Sequence, residues 1–286
     1  MSPRLQVVLA AVLFSTAGAA IKLTGFSGWQ VAAFRALIAL VTLLILIPEA
    51  RSSWSWRAGV VGVAYAGAGI LFVLANKLTT AASALFLTET NPLYLLILAP
   101  WLLGERTTRG DLAYMGILGV GMALFFLGAD PPSRTAPDPL LGNILAAGVA
   151  LCWAFTLVGY RWLVKQGGDG GGRGAVASAA IAGNLIVFLV ALPVALPLQR
   201  GGPADWLPVI HLGVFQLGLA YVFLSRAVTQ VRALEIALVL LVEPVLSATW
   251  AWLVHGETPG PAAVAGGAVI LTAGEVQGYL QGLPDR

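Results

Sequence analysis

Apolar residues run along this chain in long stretches, and polar positions collect in the short breaks between them. The stretches fall near 5–24, 30–48, 57–76, 80–103, 110–128, 140–160, 175–197, 206–225, 232–254 and 261–279. Each is about 20 residues long, which is what an α-helix needs to cross ~30 Å of hydrocarbon. The alternation expected of barrel strands is absent, so the pattern predicts helices, which satisfy their own backbone hydrogen bonds in lipid. The expected fold class is therefore an all-α polytopic membrane protein with ten transmembrane helices. Residues 1–20 also fit a signal peptide, with Arg4, an apolar run and the small residues STAGAA. The run continues to Leu23, however, and its removal would leave one half a helix short, so it is read as the first span.

A second pattern is superimposed on the first. Residues 91–105, NPLYLLILAPWLLGE, resemble residues 243–257, EPVLSATWAWLVHGE: Pro92, Ala99, Gly104 and Glu105 recur as Pro244, Ala251, Gly256 and Glu257. Phe14 likewise aligns with Trp153, after which Lys22 meets Arg161. The proline-rich stretch 129–139, ADPPSRTAPDP, divides the chain into a first repeat (1–128) and a second (140–286). Each half holds an odd number of spans, so the second enters the membrane from the opposite side and the repeats are inverted. The glycine-rich segment Gly167–Gly174 reads as a flexible loop, since it lacks the Gly-Lys-Ser/Thr ending and preceding strand of a phosphate cradle.

Composition agrees with a bilayer environment: 58% hydrophobic residues, 10% charged and a mean hydropathy of +0.87. Of the 16 Lys and Arg, eleven fall on one side if the amino terminus is cytoplasmic, against Lys22, Lys77, Arg134 and Arg200 on the other, with Arg35 inside a span. That asymmetry predicts both termini inside. The pI of 9.2 reflects this distribution; with no basic patch, nucleic acid is not an expected partner. Trp29 and Trp206 at one level, and Trp54, Trp56 and Trp162 at the other, are placed for an aromatic belt. The lone Cys152 excludes an intrachain disulfide. Glycines crowd the third, fifth and tenth spans, where they permit close helix approach.

No hydrolase elbow, Walker, HExxH or dinucleotide motif is present, so no enzymatic activity and no cofactor are expected. The candidate binding residues are polar or aromatic groups at membrane depth. Glu89 and Glu243 are costly there unless they face a cavity, a partner or a proton, and Arg35 is one available partner. Phe14 and Trp153 can wall a void for a flat or apolar solute. Tyr65, Asn76, Thr88, Gln216, Tyr221 and Ser225 are candidate hydrogen-bonding groups, and Pro92 and Pro244 are candidate helix bends.

The tandem Pro-to-Gly-Glu helix and the aromatic-rich first helix of each half resemble the drug/metabolite transporter superfamily, in its EamA-like branch of ten-span metabolite exporters. The resemblance implies two inverted five-helix repeats around a central cavity. It also implies export of amino acids or related metabolites across the bacterial inner membrane, and is greatest to the aromatic amino acid exporters. Nucleotide-sugar carriers of that superfamily would need several deep basic groups, whereas only Arg35 lies deep here. The implied partners are a small-molecule amino acid and the lipid bilayer, with protons a candidate coupling ion. An exporter of another metabolite or drug in the same superfamily, a channel of the same topology and a lipid-acting enzyme are the alternatives. Nothing in these residues specifies an oligomeric state.

Overall fold

The computed structural model describes residues 1–51, 54–103, 109–127, 131–166, 168–198, 201–227, 231, 239–240 and 242–282. Among these there are helices and no strands. Eight helical stretches are long and apolar enough to cross a membrane, from Pro3–Leu23 to Pro203–Leu224, and Pro261–Gly274 is a shorter apolar helix. In chain order the helices are α1 (Pro3–Ser15), α2 (Ala17–Leu23), α3 (Gly28–Leu46), α4 (Trp56–Leu78), α5 (Ala81–Thr88), α6 (Asn91–Leu103) and α7 (Arg109–Leu127). After the proline-rich stretch come α8 (Pro139–Gln166), α9 (Gly168–Ala195), α10 (Trp206–His211), a π-helical segment (Leu212–Leu219), α11 (Ala220–Ala227), α12 (Val242–His255) and α13 (Pro261–Gly282).

Local chemistry sets several of these boundaries. Ser27 accepts from the Gln30 backbone while Gln30 Oε1 accepts from the Ser27 backbone, a reciprocal capping box that starts α3. Ser55 and Thr80 cap α4 and α5 through their side chains. Within the first span, the Ser15 and Thr16 hydroxyls donate back to Val12 and Leu13 carbonyls at 2.7 Å, and the helix is interrupted at Thr16. The expected bend at Pro92 is a full break: α5 ends at Thr88 and α6 begins at Asn91, so the proline occupies a first turn where its missing N–H is harmless. Pro244 similarly lies in the first turn of α12.

The glycine-rich segment differs from expectation. Gly168–Gly174 form the first turns of α9 rather than a loop, while Gly167 lies outside the described residues. Each glycine costs a helix about 1 kcal/mol relative to alanine, but every residue added to a growing helix also gains a backbone hydrogen bond.

Packing joins the two halves element by element. α3 pairs with α9, α5 with α12, and α7 with α13; α4 leans on α8 and α9, as α11 leans on α1 and the π segment on α3. Exchanging the halves maps this pattern onto itself. Burial is dominated by small residues such as Ala10, Ala32, Ala33, Ala36, Ala154 and Ala179. Helices in lipid associate through close backbone approach, since burying apolar area gains little there. Outward faces carry Ile45, Val63, Trp101, Leu127 and Leu253, the apolar surface a bilayer would cover. Trp56 meets Trp162 with Arg57 over both rings, as an anchoring belt requires. Trp206 instead packs on Phe26 and Phe34 within the core, together with Trp29.

The glycines divide into two kinds. A Cβ on Gly121 would lie 2.7 Å from Ile270 and 3.2 Å from the Gly266 carbonyl, so α7 and α13 touch backbone to backbone, whereas Gly116 and Gly119 face open space. Gly121→Leu should therefore destabilise the protein by about 1–3 kcal/mol through overpacking, and Gly119→Leu should be neutral. Thermal unfolding in detergent micelles checks the contrast, and equal effects would refute the seam.

Candidate functional site

Three spans lose regular α-helix near their middles: the first at Thr16, the fourth at Glu89–Thr90, and the eighth across its π segment. Interrupted helices expose backbone polar groups and reposition side chains, which transporters use at their binding sites. Around these interruptions four of the predicted aromatic residues come together. Phe14 meets Tyr221 edge-on at 5.7 Å, and Tyr65 lies 6.4 Å from Tyr221 and 6.1 Å from Trp153. Tyr65 is held flat because α9 offers Gly183 beneath it: a Cβ there would lie 2.3 Å from the ring. Asn184, on the same helix, donates to the Tyr65 hydroxyl at 3.4 Å. Gln216 lies in the π segment, one widened turn before Tyr221, with a buried Oε1 that has no partner.

Glu89 caps the end of α5 and Glu243 lies in the first turn of α12, the two helices that cross between the halves. Their carboxyls are near enough to repel, with Tyr114 beside Glu89. A proton or a cationic group between them would relieve that repulsion. Neither pairs with Arg35, the partner considered from sequence: the groups facing Arg35 are Tyr65 and Tyr221, and its Nη1 has no hydrogen-bond partner.

The remaining predicted residues lie elsewhere. Asn76 faces the junction of α2, α4 and α12, donating to Phe72 in its own helix, with Oδ1 at 3.0 Å from where a Gly18 Cβ would be. The Thr88 hydroxyl is spent on the Ala84 carbonyl. The Ser225 side chain, Gly104 and Glu105 lie outside the described residues.

A second feature, which the sequence did not reveal, closes one end of the bundle. α12 terminates at His255 because Gly256 takes a positive φ of 66°, with its N–H on the Trp252 carbonyl at 2.8 Å. The following N–H, from Glu257, bonds the Ala251 carbonyl at 3.3 Å. This turn sends Glu257 back into the protein. Its Oε1 accepts the Ala81 N–H at 2.7 Å, at the start of α5, and its Oε2 lies 3.3 Å from Lys22 Nζ. The Lys22 and Glu257 side chains are only 3% and 5% exposed. Lys22 also donates to the carbonyls of Thr79 and Thr135, so one ammonium ties α2 to the end of α4, the interhalf stretch and α12. Along the same seam Trp250 donates to Ser15 at 3.0 Å, and His255 bonds the Ala19 carbonyl at 2.9 Å. The signal for this lock was present: both Lys22 and the Gly-Glu pair stood out in the repeat, but nothing local connects residues 22 and 257.

Interrupted spans, clustered aromatic rings and a buried charge pair in a polytopic helical bundle suit a membrane transporter of small molecules. The family model for the EamA-like transporter family matches residues 2–127 and again 140–274, and the chain belongs to that family. It is 28% identical over 289 residues to the pseudopaline exporter CntI of Pseudomonas aeruginosa, in strains UCBPP-PA14 and PAO1, covering 94% of this chain and 93% of the relative. A solved crystal structure shares the fold with a TM-score of 0.65 at 22% identity, covering 98% of this chain and 97% of that one.

Removing one member of a buried ion pair strands the other, at a cost of about 3–5 kcal/mol, whereas removing both is far cheaper. Lys22→Met and Glu257→Gln should each lower the unfolding midpoint, and the double variant should lose much less than their sum. Additive losses in a double-mutant cycle would show that the two charges are not coupled.

Proposed function

We propose that this transporter exports amino acids, aromatic or other large neutral ones, across the bacterial inner membrane by alternating access. The observation that carries the reading is the aromatic cluster of Phe14, Tyr65, Trp153 and Tyr221, drawn from both halves and set beside interrupted helices. Rings set edge-on or tilted to one another leave faces and edges available to a flat solute. In this reading Glu89 and Glu243 receive the ammonium group or a coupling proton.

The architecture is ten spans in two inverted repeats of residues 1–128 and 140–286, joined by 129–139, around a central cavity. The double match of the family model and the exchange symmetry of helix pairing support it. With both termini cytoplasmic, the Lys22–Glu257 lock belongs to the outer face. Release of cargo then requires α2 and α12 to part there, breaking an ion pair and freeing the start of α5. Closure restores both bonds together, so the lock favours a state sealed toward the outside.

A second reading takes its support from the 28% identical exporter of pseudopaline: the cargo is a larger metabolite than an amino acid. An efflux screen separates the two. Cells overexpressing the protein should resist toxic aromatic amino acid analogues and release aromatic amino acids, measured by mass spectrometry of the medium. Release of only other metabolites would exclude the first reading, and chemical alteration of the cargo would exclude transport as the activity.

Trp153→Ala should raise KM for an aromatic cargo about tenfold, the worth of one lost ring contact, with little change for a small aliphatic one. In proteoliposomes, Glu89→Gln should leave exchange intact while abolishing pH-driven uptake. Unchanged pH dependence would remove Glu89 as the proton site.

A further inference from the structure

Arg35 lies mid-span in α3 and is 5% exposed, yet only half of its guanidinium is accounted for. Nη2 donates to the Gly69 carbonyl at 3.3 Å, and Cζ lies 5.8 Å from the centre of the Phe72 ring. Nη1 is buried without any partner. A guanidinium that has lost its water and gained one long bond and a ring face is costly in a bilayer. The ionisable groups facing it are the hydroxyls of Tyr65 and Tyr221, neither of which supplies a counter-charge at neutral pH.

Tyrosine hydroxyls cluster beside this cation. The hydroxyls of Tyr65, Tyr160 and Tyr221 lie within interaction range of one another, and that of Tyr160 is buried without a hydrogen-bond partner. Tyr160 lies toward the end of α8, beside an open surface depression lined by Arg161, Val164 and Lys165. Tyr65 and Tyr221 stand between Tyr160 and Arg35. Each hydroxyl can donate, and among the described residues no carboxylate faces the arginine.

We infer that Arg35 is the anion seat of the cargo site: it receives the carboxylate of the transported solute, and Tyr65 and Tyr221 supply further donors. A planar fork of N–H groups matches a carboxylate bidentately, and the orphaned Nη1 is the half of that fork left open. A single buried cation suits a singly charged carboxylate better than a doubly charged phosphate. The inference rests on the export reading and narrows its cargo to carboxylate-bearing solutes.

The test compares thermal unfolding of the full-length protein with four ligands that share a phenyl ring. L-Phenylalanine and 3-phenylpropionate carry a carboxylate, L-phenylalaninol carries none, and phenyl phosphate carries the competing anion. The two carboxylates should raise the midpoint of the wild type, and L-phenylalaninol should not. Arg35→Met should abolish the shift without unfolding earlier than the wild type, because it removes an uncompensated charge rather than a structural brace. Arg35→Lys, which keeps the charge and loses the fork, should bind about tenfold more weakly. The inference is overturned if neither carboxylate shifts the wild type, if L-phenylalaninol or phenyl phosphate acts as strongly, if the shift survives in Arg35→Met, or if that variant unfolds early. A carboxylate shift that depends on Arg35, in a protein that exports nothing in the efflux screen, would sink the export reading and leave the anion seat standing.

Discussion

The charge pair between Lys22 and Glu257 is the constraint on which the rest of this bundle turns. Two opposite charges held away from water attract strongly, but each has surrendered its hydration, and further hydrogen bonds are needed to offset that loss. Here the ammonium has two carbonyls besides its carboxylate, and the carboxylate has the first free N–H of α5. A helix start carries a partial positive charge, so the same acid neutralises both a lysine and a dipole. Four stretches distant in sequence, at Lys22, Thr79–Ala81, Thr135 and Glu257, meet at this point.

What the lock holds in place is an interior built from interruptions. The first span breaks where two hydroxyls turn back on their own carbonyls, the fourth where a proline opens a new helix, and the eighth widens into a π spiral. Regular helices would present a smooth apolar surface at these depths. The irregular ones carry Phe14, Tyr221 and the two acids, and the regular helices α3, α4 and α8 bring Arg35, Tyr65 and Trp153 into the same interior. Such an interior is tolerable in lipid only when enclosed by protein, and the alanine-rich contacts between α3, α4, α8 and α9 provide the enclosure.

Much of this was legible in the residues. Apolar run length located the helices, and the recurring Pro, Ala, Gly and Glu marked the equivalent spans. The structure supplies reasons in the second copy: Pro244 lies in a first helical turn, Gly256 adopts a left-handed turn, and Glu257 reaches back to Lys22. Ala251 also has a part, since its carbonyl takes the Glu257 N–H. Phe14, Tyr65, Trp153 and Tyr221, conspicuous in the sequence as large aromatics at mid-span, lie together in the folded chain. Asn76 and Thr88 each bond a carbonyl of their own helix, an arrangement that leaves no mark in the sequence. Arg35 was visible as a deep cation, but its lack of a partner depends on tertiary neighbours from α4, α9 and α11. The Gly168–Gly174 helix runs against propensity, which a packed bundle readily overrides.

The proline-rich stretch between the halves deserves a different description from that of a passive connector. The Thr135 carbonyl within it grips Lys22, so the tether is also a clasp. Were the two halves made as separate polypeptides severed near that point, they could still dock through matching surfaces. The ammonium would then have lost a fixed ligand, and the reassembled protein would fasten less firmly on that side than the unbroken chain.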